Sequence, residues 1–63
     1  MKFTICARLE RAMIDGTATI RMVWKTEAPD LYSVLMKARA YVSTAEQEED
    51  AECVYLTVEA EDA

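Results

Sequence analysis

Two stretches in the first half of the chain alternate between apolar and polar residues with a period of two. The apolar face of the first stretch, KFTICARLE, consists of Phe3, Ile5, Ala7 and Leu9. The apolar face of the second, TATIRMVWKT, consists of Ala18, Ile20, Met22 and Trp24. Strict alternation is typical of a β-strand with one buried face. The segment between the stretches ends in the turn pair Asp15 and Gly16, so we expect an antiparallel hairpin. Whether Met13 and Ile14 extend the first strand or form a loop is open at this stage.

The third apolar segment has a helical period. Pro29 suits the first turn of a helix, and Asp30 suits the positive end of the helix dipole. One stripe of a helix that begins at Pro29 would contain Leu31, Val34, Leu35, Ala38, Val42 and Ala45. We therefore predict a helix of about 17 residues, roughly 25 Å long, which is enough to cross a sheet of eight-residue strands.

The last apolar segment, CVYLTVEA, is rich in β-branched residues and alternates again. It predicts a third strand from Cys53 to Ala60. Its buried face would consist of Val54, Leu56, Val58 and Ala60. The predicted fold class is α+β, with the element order β-β-α-β in a single compact domain of residues 1–63. Because the helix returns the chain over one face, the third strand can lie antiparallel beside the first. We therefore predict a three-stranded antiparallel sheet in the order 2-1-3.

A register between the first and third strands follows from pairing residues whose numbers sum to 63. The predicted pairs are Leu9 with Val54, Ala7 with Leu56, Ile5 with Val58, Arg8 with Tyr55, and Lys2 with Glu61. The same register sets Cys6 opposite Thr57 and Cys53 opposite Glu10, so it predicts no disulfide. The predicted open face, away from the helix, carries Thr4, Cys6, Arg8, Thr19, Arg21, Val23, Lys25, Cys53, Tyr55, Thr57 and Glu59.

Charge is distributed unevenly along the chain. Residues 1–44 carry seven bases and four acids, a net charge of +3, and residues 45–63 carry eight acids and no base, a net charge of −8, which together give −5. The segment AEQEEDAE, Ala45 to Glu52, is called the acidic run here, and its acids are Glu46, Glu48, Glu49, Asp50 and Glu52. Nucleic acid and anionic membranes bind clustered Lys and Arg, so this charge favours a basic protein surface as the partner.

Residue types exclude much of the common chemistry. The chain has no histidine, which removes the commonest acid–base group and the commonest metal ligand. The acidic run lacks the alternating Asp or Asn ligands and the turn glycine of a calcium loop. Its acids lie on a solvated helix end and loop, where nothing raises a carboxyl pKa for catalysis. We therefore expect a protein that is not an enzyme, with no cofactor and no metal. No signal peptide or membrane span is predicted, and the two cysteines are expected to be reduced, as in the cytoplasm.

The acidic run lies where a helix dipole disfavours acids, at or beyond the predicted carboxyl end of the helix. A short, acidic, histidine-free chain with a β-β-α-β body and the run EQEED resembles the small phage-encoded inhibitors of bacterial defence, including anti-CRISPR proteins. The resemblance implies a DNA mimic that blocks target DNA binding by a CRISPR effector complex in the bacterial host cytoplasm. The partner-binding residues would be the five acids of the acidic run, together with Glu59, Glu61 and Asp62 near the carboxyl end.

Three further interpretations accompany this one. Tyr32, Met36 and Arg39 lie off the buried stripe of the predicted helix and form a candidate secondary patch, because these residue types are enriched at interfaces. The acidic run also fits a solvated linker that keeps a small protein soluble. A monomer is favoured, and the alternative function is a homodimeric interaction module of antitoxin-like or accessory type, which would pair through the open face or an edge strand.

Overall fold

The computed structural model describes residues 1–61. It contains β1 (Lys2–Met13), β2 (Gly16–Glu27), α1 (Leu31–Glu49) and β3 (Glu52–Ala60). The strands form one antiparallel sheet in the order β2-β1-β3, and α1 packs on one face. This confirms the predicted fold class, element order and strand order. Within residues 1–61, no helix has the length and apolar character needed to cross a membrane.

The core lies between the central strand and the helix. Strand β1 buries the alternating residues that the sequence pattern predicts: Phe3, Ile5, Ala7 and Leu9. The helix buries Val34, Ala38, Val42 and Ala45. Strand β2 contributes Trp24, whose ring stacks on that of Tyr41 with centroids 5.7 Å apart. Burying these apolar surfaces, at about 25 cal/mol per Å², stabilises the packing of the helix on the sheet.

The structure closes the open question about the hairpin. Strands β1 and β2 stay paired up to Met13 and Gly16, so Met13 extends β1 and the connection consists of Ile14 and Asp15. Gly16 belongs to β2 and has a φ of 150°, a conformation that L side chains rarely adopt. Because β3 pairs with β1 only up to Glu10, the hairpin tip extends beyond β3.

The helix begins two residues later than predicted. Asp30 is the N-cap, and its carboxylate accepts a hydrogen bond from the backbone N–H of Ser33 at 2.8 Å. That bond lowers the pKa of Asp30. Pro29 therefore precedes the cap and does not lie in the first turn. At the other end, Asp50 caps the helix in the left-handed conformation, with φ 50° and ψ 53°, and its N–H donates to the carbonyl of Glu46.

The predicted register of β1 and β3 is correct from Phe3 to Arg8 and wrong from Leu9 onward. A bulge between Arg8 and Leu9 shifts the pairing by one residue, so that Leu9 lies opposite Cys53 and Glu10 lies opposite Glu52. The predicted pairs of Leu9 with Val54 and Cys53 with Glu10 are therefore wrong. The physical reason is an extra residue in β3, which moves Cys53 from the open face to the core side.

Two of the six predicted stripe positions on the helix are also wrong. Leu31 and Leu35 are exposed, whereas the other four stripe residues are buried. The predicted buried face of β3 is incorrect in part too, because Val54, Leu56 and Ala60 are exposed and Val58 is half-buried. A three-stranded sheet is narrow, and β3 is its edge, so the helix does not cover these side chains completely.

Candidate functional site at the acidic end

The acidic run spans the last turn of α1, the C-cap and the start of β3. This is the end of the sheet from which the hairpin projects, because Glu52 pairs with Glu10 near the tip of β1. We call the carboxylates gathered here the acidic end, and they are Glu10, Glu48, Glu49, Asp50 and Glu52. Glu10 and Glu52 lie directly opposite each other across adjacent strands, an arrangement of like charges that is destabilising.

Glu46 differs from the other acids of the run. Its Oε2 accepts a hydrogen bond from the backbone N–H of Cys53 at 2.9 Å. The side chain is half-buried and connects the last turn of α1 to the first residues of β3. Glu46 was predicted as a partner-binding residue, but this contact gives it a structural task within the fold.

One base reaches the acidic end without forming an ion pair with its carboxylates. Arg11 Nη1 donates to the backbone carbonyl of Glu49 at 2.6 Å, so its guanidinium group satisfies a carbonyl at the helix terminus. Among residues 1–61, the one side-chain ion pair joins Lys25 and Glu61, at the other end of the sheet. The last turn of α1 contains no basic residue. Among the described residues, the carboxylates of the acidic end therefore form no ion pair, and Arg11 is the cation that lies at the carboxyl end of the helix dipole.

The carboxyl end of β3 carries the second group of predicted site residues, which consists of Glu59, Glu61 and Asp62. Glu61 Oε1 accepts a hydrogen bond from Lys25 Nζ at 2.9 Å, and this contact lowers the pKa of Glu61. Its backbone N–H donates to the carbonyl of Lys2 at 2.8 Å, as expected for the predicted neighbours. Glu59 is exposed, and Asp62 lies outside the described residues.

These two groups of acids do not form one surface. From Glu52 to Ala60 the chain advances eight residues along β3, which corresponds to roughly 27 Å at the usual strand rise. The predicted placement of acids at opposite poles agrees with this topology. The two poles differ, however, because Lys25 forms an ion pair with a carboxylate at the second one, whereas Arg11 bonds a carbonyl at the first. The arrangement divides the predicted site residues into a free cluster and a partly neutralised one.

The candidate secondary patch lies on the helix surface. Tyr32 and Met36 are exposed, and so is Arg39, as their positions off the buried stripe predict. Met36 precedes Glu48 by twelve residues, roughly 18 Å along a helix. The patch is therefore separate from the acidic end.

Sequence reasoning missed three residues at this end of the molecule. Glu10 joins it through the register shift, which moves Glu52 opposite it. The exposed side chains of Met13 and Ile14 form an apolar hairpin tip beyond β3. The alternating pattern gave no signal for the shift, because a bulge leaves the residue types on either side unchanged. The sequence did contain a signal for the exposed tip, because two apolar residues directly precede the predicted turn pair.

The open face of the sheet carries a separate group of contacts. The guanidinium carbon of Arg8 lies 5.6 Å from the centroid of the Tyr55 ring, within reach of a cation–π interaction, and this supports the predicted pairing of these residues. Cys6 lies on this face and Cys53 on the other, and both are free thiols. In the part of the chain that the structure describes, no group of three or more Cys, Asp or Glu residues is arranged to hold a metal ion. Comparisons with protein-family models, curated proteins and solved structures gave no match.

Proposed function

We propose that this chain is a non-catalytic binding protein whose acidic end docks on a basic surface of a larger nucleic-acid-binding machine and inhibits it. The machine we propose is a CRISPR effector complex, whose target DNA would be excluded from its groove. The observation that carries the proposal is the cluster of carboxylates around the left-handed cap at Asp50, none of which forms an ion pair with a described residue. Arg11, the base that reaches this end, contacts a backbone carbonyl.

The acidic end carries an electrostatic cost in the unbound protein. Each acid near the carboxyl end of a helix is disfavoured by about 0.3–1 kcal/mol when exposed. The opposed side chains of Glu10 and Glu52 add a further unfavourable contact. Lysine or arginine side chains of a partner would remove both penalties on binding. Complementary charge would also accelerate the encounter between the two proteins.

The shape of the acidic end supports a compact contact. Duplex phosphates recur once per ~1.7 Å of helix axis when both strands are counted. The free carboxylates occupy one end of the molecule, and the next acids, Glu59 and Glu61, lie a strand length away beside Lys25. The carboxylate cluster would therefore imitate a short stretch of the phosphate backbone of DNA. The exposed side chains of Met13 and Ile14 supply the apolar contact that a protein partner prefers.

The test compares two charge reversals of equal size. Glu48→Lys with Asp50→Lys changes two exposed acids of the acidic end. The control, Glu27→Lys with Glu59→Lys, changes two exposed acids elsewhere. Each pair adds four positive charges and takes the net charge from −5 to −1. Purified CRISPR effector complexes of several types are mixed with labelled target duplex, and the inhibition of DNA binding is measured for each variant.

The wild type is expected to inhibit DNA binding by at least one complex. The acidic-end pair should weaken that inhibition by tenfold or more, and the control pair by less than threefold. Raising the salt concentration from 50 to 200 mM should weaken the wild-type inhibition as well, because exposed charges are screened. Equal losses in both pairs would show that net charge acts without a docking site. Undiminished DNA binding by every complex would refute the assignment to CRISPR effectors.

A further inference from the structure

The two edges of the sheet differ in how they are protected from pairing with another strand. On β2, Lys25 projects from the open face, and Lys37 of the helix donates to the backbone carbonyl of Glu27 at 2.6 Å. Lysines at an edge prevent other chains from pairing with it. Strand β3 contains no Lys, Arg or Pro from Glu52 to Ala60. Its bulge lies near one end and leaves the rest of the edge regular.

Backbone groups along β3 alternate between β1 and the free edge. The N–H of Glu61 donates to the carbonyl of Lys2, so odd-numbered residues beyond the bulge bond to β1. The N–H and C=O groups of Leu56, Val58 and Ala60 therefore point outward. Cys53 is different, because its N–H is satisfied by Glu46. These outward backbone groups offer a template for one further antiparallel strand. The template ends before Cys53, whose N–H already has a partner.

The helix leaves an apolar surface beside this edge. Tyr41 and Lys37 contact β2, whereas Glu46 contacts β3, which fixes the orientation of α1 about its axis. At 100° per residue, Leu31 and Leu35 lie within about 60° of Glu46 on the helix, on its β3 side. These two leucines are 57% and 44% exposed.

One exposed side chain of β3 extends the surface. Leu56 is 39% exposed and lies on the core side of the sheet, opposite the buried Ala7. We call Leu31, Leu35 and Leu56 the β3 flank. An unpaired strand edge with an apolar flank has both elements of strand addition, since the main chain supplies hydrogen bonds and the side chains supply burial.

We propose that the occupant of this edge is a second copy of the chain, with the two β3 strands paired antiparallel about a twofold axis. The result is a continuous six-stranded sheet with the two flanks in contact. A pairing centred on Val58 sets Leu56 opposite Ala60 and Glu59 opposite Thr57, so it uses the outward backbone groups beyond the bulge, and no two acids of β3 oppose each other. The antiparallel arrangement also places the two acidic ends at opposite ends of the shared seam. A parallel arrangement would bring them together.

The size of the molecule favours a second copy. A stable interface buries about 1,200–2,000 Å² in total, or about 600–1,000 Å² on each copy. The accessible surface of one chain is 4667 Å², so each copy would bury roughly an eighth to a fifth of it. Among the described residues, nine apolar side chains are buried. Dimerisation would add the three flank residues of each copy to a common core, which would increase the small buried area of a chain of this size.

The test measures mass against concentration by sedimentation equilibrium. The wild type is expected to pass from 7.1 kDa to twice that mass as concentration rises. Leu31→Lys with Leu35→Lys should raise the dimer dissociation constant by tenfold or more. The matched control is Tyr32→Lys with Met36→Lys, which adds the same charge at two exposed positions of the same helix. Its dissociation constant should stay within threefold of the wild-type value, and circular dichroism verifies that both variants fold.

Amide hydrogen exchange provides a second measurement that does not depend on substitution. The amides of Leu56 and Val58 should exchange more slowly as concentration rises, whereas the outward amides of β2 should not change. A wild type that stays at 7.1 kDa up to millimolar concentration would overturn the proposal, as would protection along β2. The flank variants leave the acidic end intact, so they dissociate the dimer without removing the carboxylates on which the proposed inhibition depends.

Discussion

The two ends of the sheet are both acidic in sequence and differ in the folded protein. At the end that carries the last turn of α1, Glu48, Asp50 and Glu52 are exposed, and the neighbouring Arg11 contacts a carbonyl group. At the other end, Glu61 pairs with Lys25 across the open face. Lys25 belongs to β2 and Glu61 follows β3, so the ion pair spans the central strand.

The comparison teaches that charge along a sequence does not determine charge in space. Residues 45–63 contain no base, yet the fold brings Lys25 into an ion pair with a carboxylate at the second end, whereas Arg11 at the first end bonds a backbone carbonyl. The acidic end therefore keeps its repulsion after folding. Four substitutions test the contacts and charges at the two ends. Their expected effects decrease from Glu46→Ala to Lys25→Met.

Glu46→Ala is expected to have the largest effect, because it removes the acceptor for the N–H of Cys53. Glu46 is half-buried at the junction of α1 and β3. The control, Glu48→Ala, removes an equivalent charge from the same turn without that hydrogen bond. Both changes raise helix propensity and relieve the dipole, so their difference isolates the contact. The free energy of unfolding of Glu46→Ala should be lower than that of Glu48→Ala by about 1–2 kcal/mol, as measured by urea denaturation.

Glu46→Gln refines this test, since glutamine retains an oxygen that accepts a hydrogen bond. It should recover most of the stability lost in Glu46→Ala. Equal stability of Glu46→Ala and Glu48→Ala would mean that the hydrogen bond to Cys53 contributes nothing to the free energy of unfolding. Glu46 would then be equivalent to the other acids of the acidic run.

Much of the fold could be predicted because its signals are local and periodic. Alternation assigned Phe3 and Ile5 to the core, and the change of period before Leu31 located the helix. The strand order followed from the path of the chain over one face. The register was predictable from Phe3 to Arg8 because the parity of buried positions constrains it.

Other features were not predictable, since they depend on contacts between distant residues. The bulge in β3 accompanies a hydrogen bond from Cys53 to a helix side chain, which no alternating pattern encodes. The exposure of Leu31 and Leu35 reflects the width of a three-stranded sheet, which helical spacing does not reveal. The acids of the candidate site were visible in the sequence. Their division into a free end and a paired end required the position of Lys25 across the sheet.

Asp50→Gly is expected to stabilise the protein by about 0.5–1 kcal/mol. Asp50 has a φ of 50° and a ψ of 53°, a conformation that glycine adopts without strain. The change also removes an acid from the negative end of the helix dipole. The control, Asp50→Asn, removes the charge and keeps a side chain, so it separates strain from electrostatics. Thermal unfolding measures both, and a destabilised Asp50→Gly would show that the aspartate side chain contributes a stabilising contact.

Lys25→Met is expected to have the smallest effect, and it tests the other end of the comparison. The hydrogen bond from Lys25 is the main cause of the lowered pKa of Glu61, and Lys2 contributes less. A carboxyl group with a lowered pKa stabilises the fold above its unfolded pKa, and this contribution is lost as the pH falls through the folded pKa. Removing Lys25 should therefore raise the pKa of Glu61, as followed by carbon-13 NMR of its carboxyl group. The stability difference between wild type and Lys25→Met should shrink as the solution is acidified through that pKa.

The matched control Lys2→Met should move the pKa of Glu61 by a smaller amount, because Lys2 meets Glu61 through its backbone carbonyl. Equal shifts in the two variants would mean that the second end is neutralised by diffuse charge, and the contrast between the paired and the free acids would lose its structural basis.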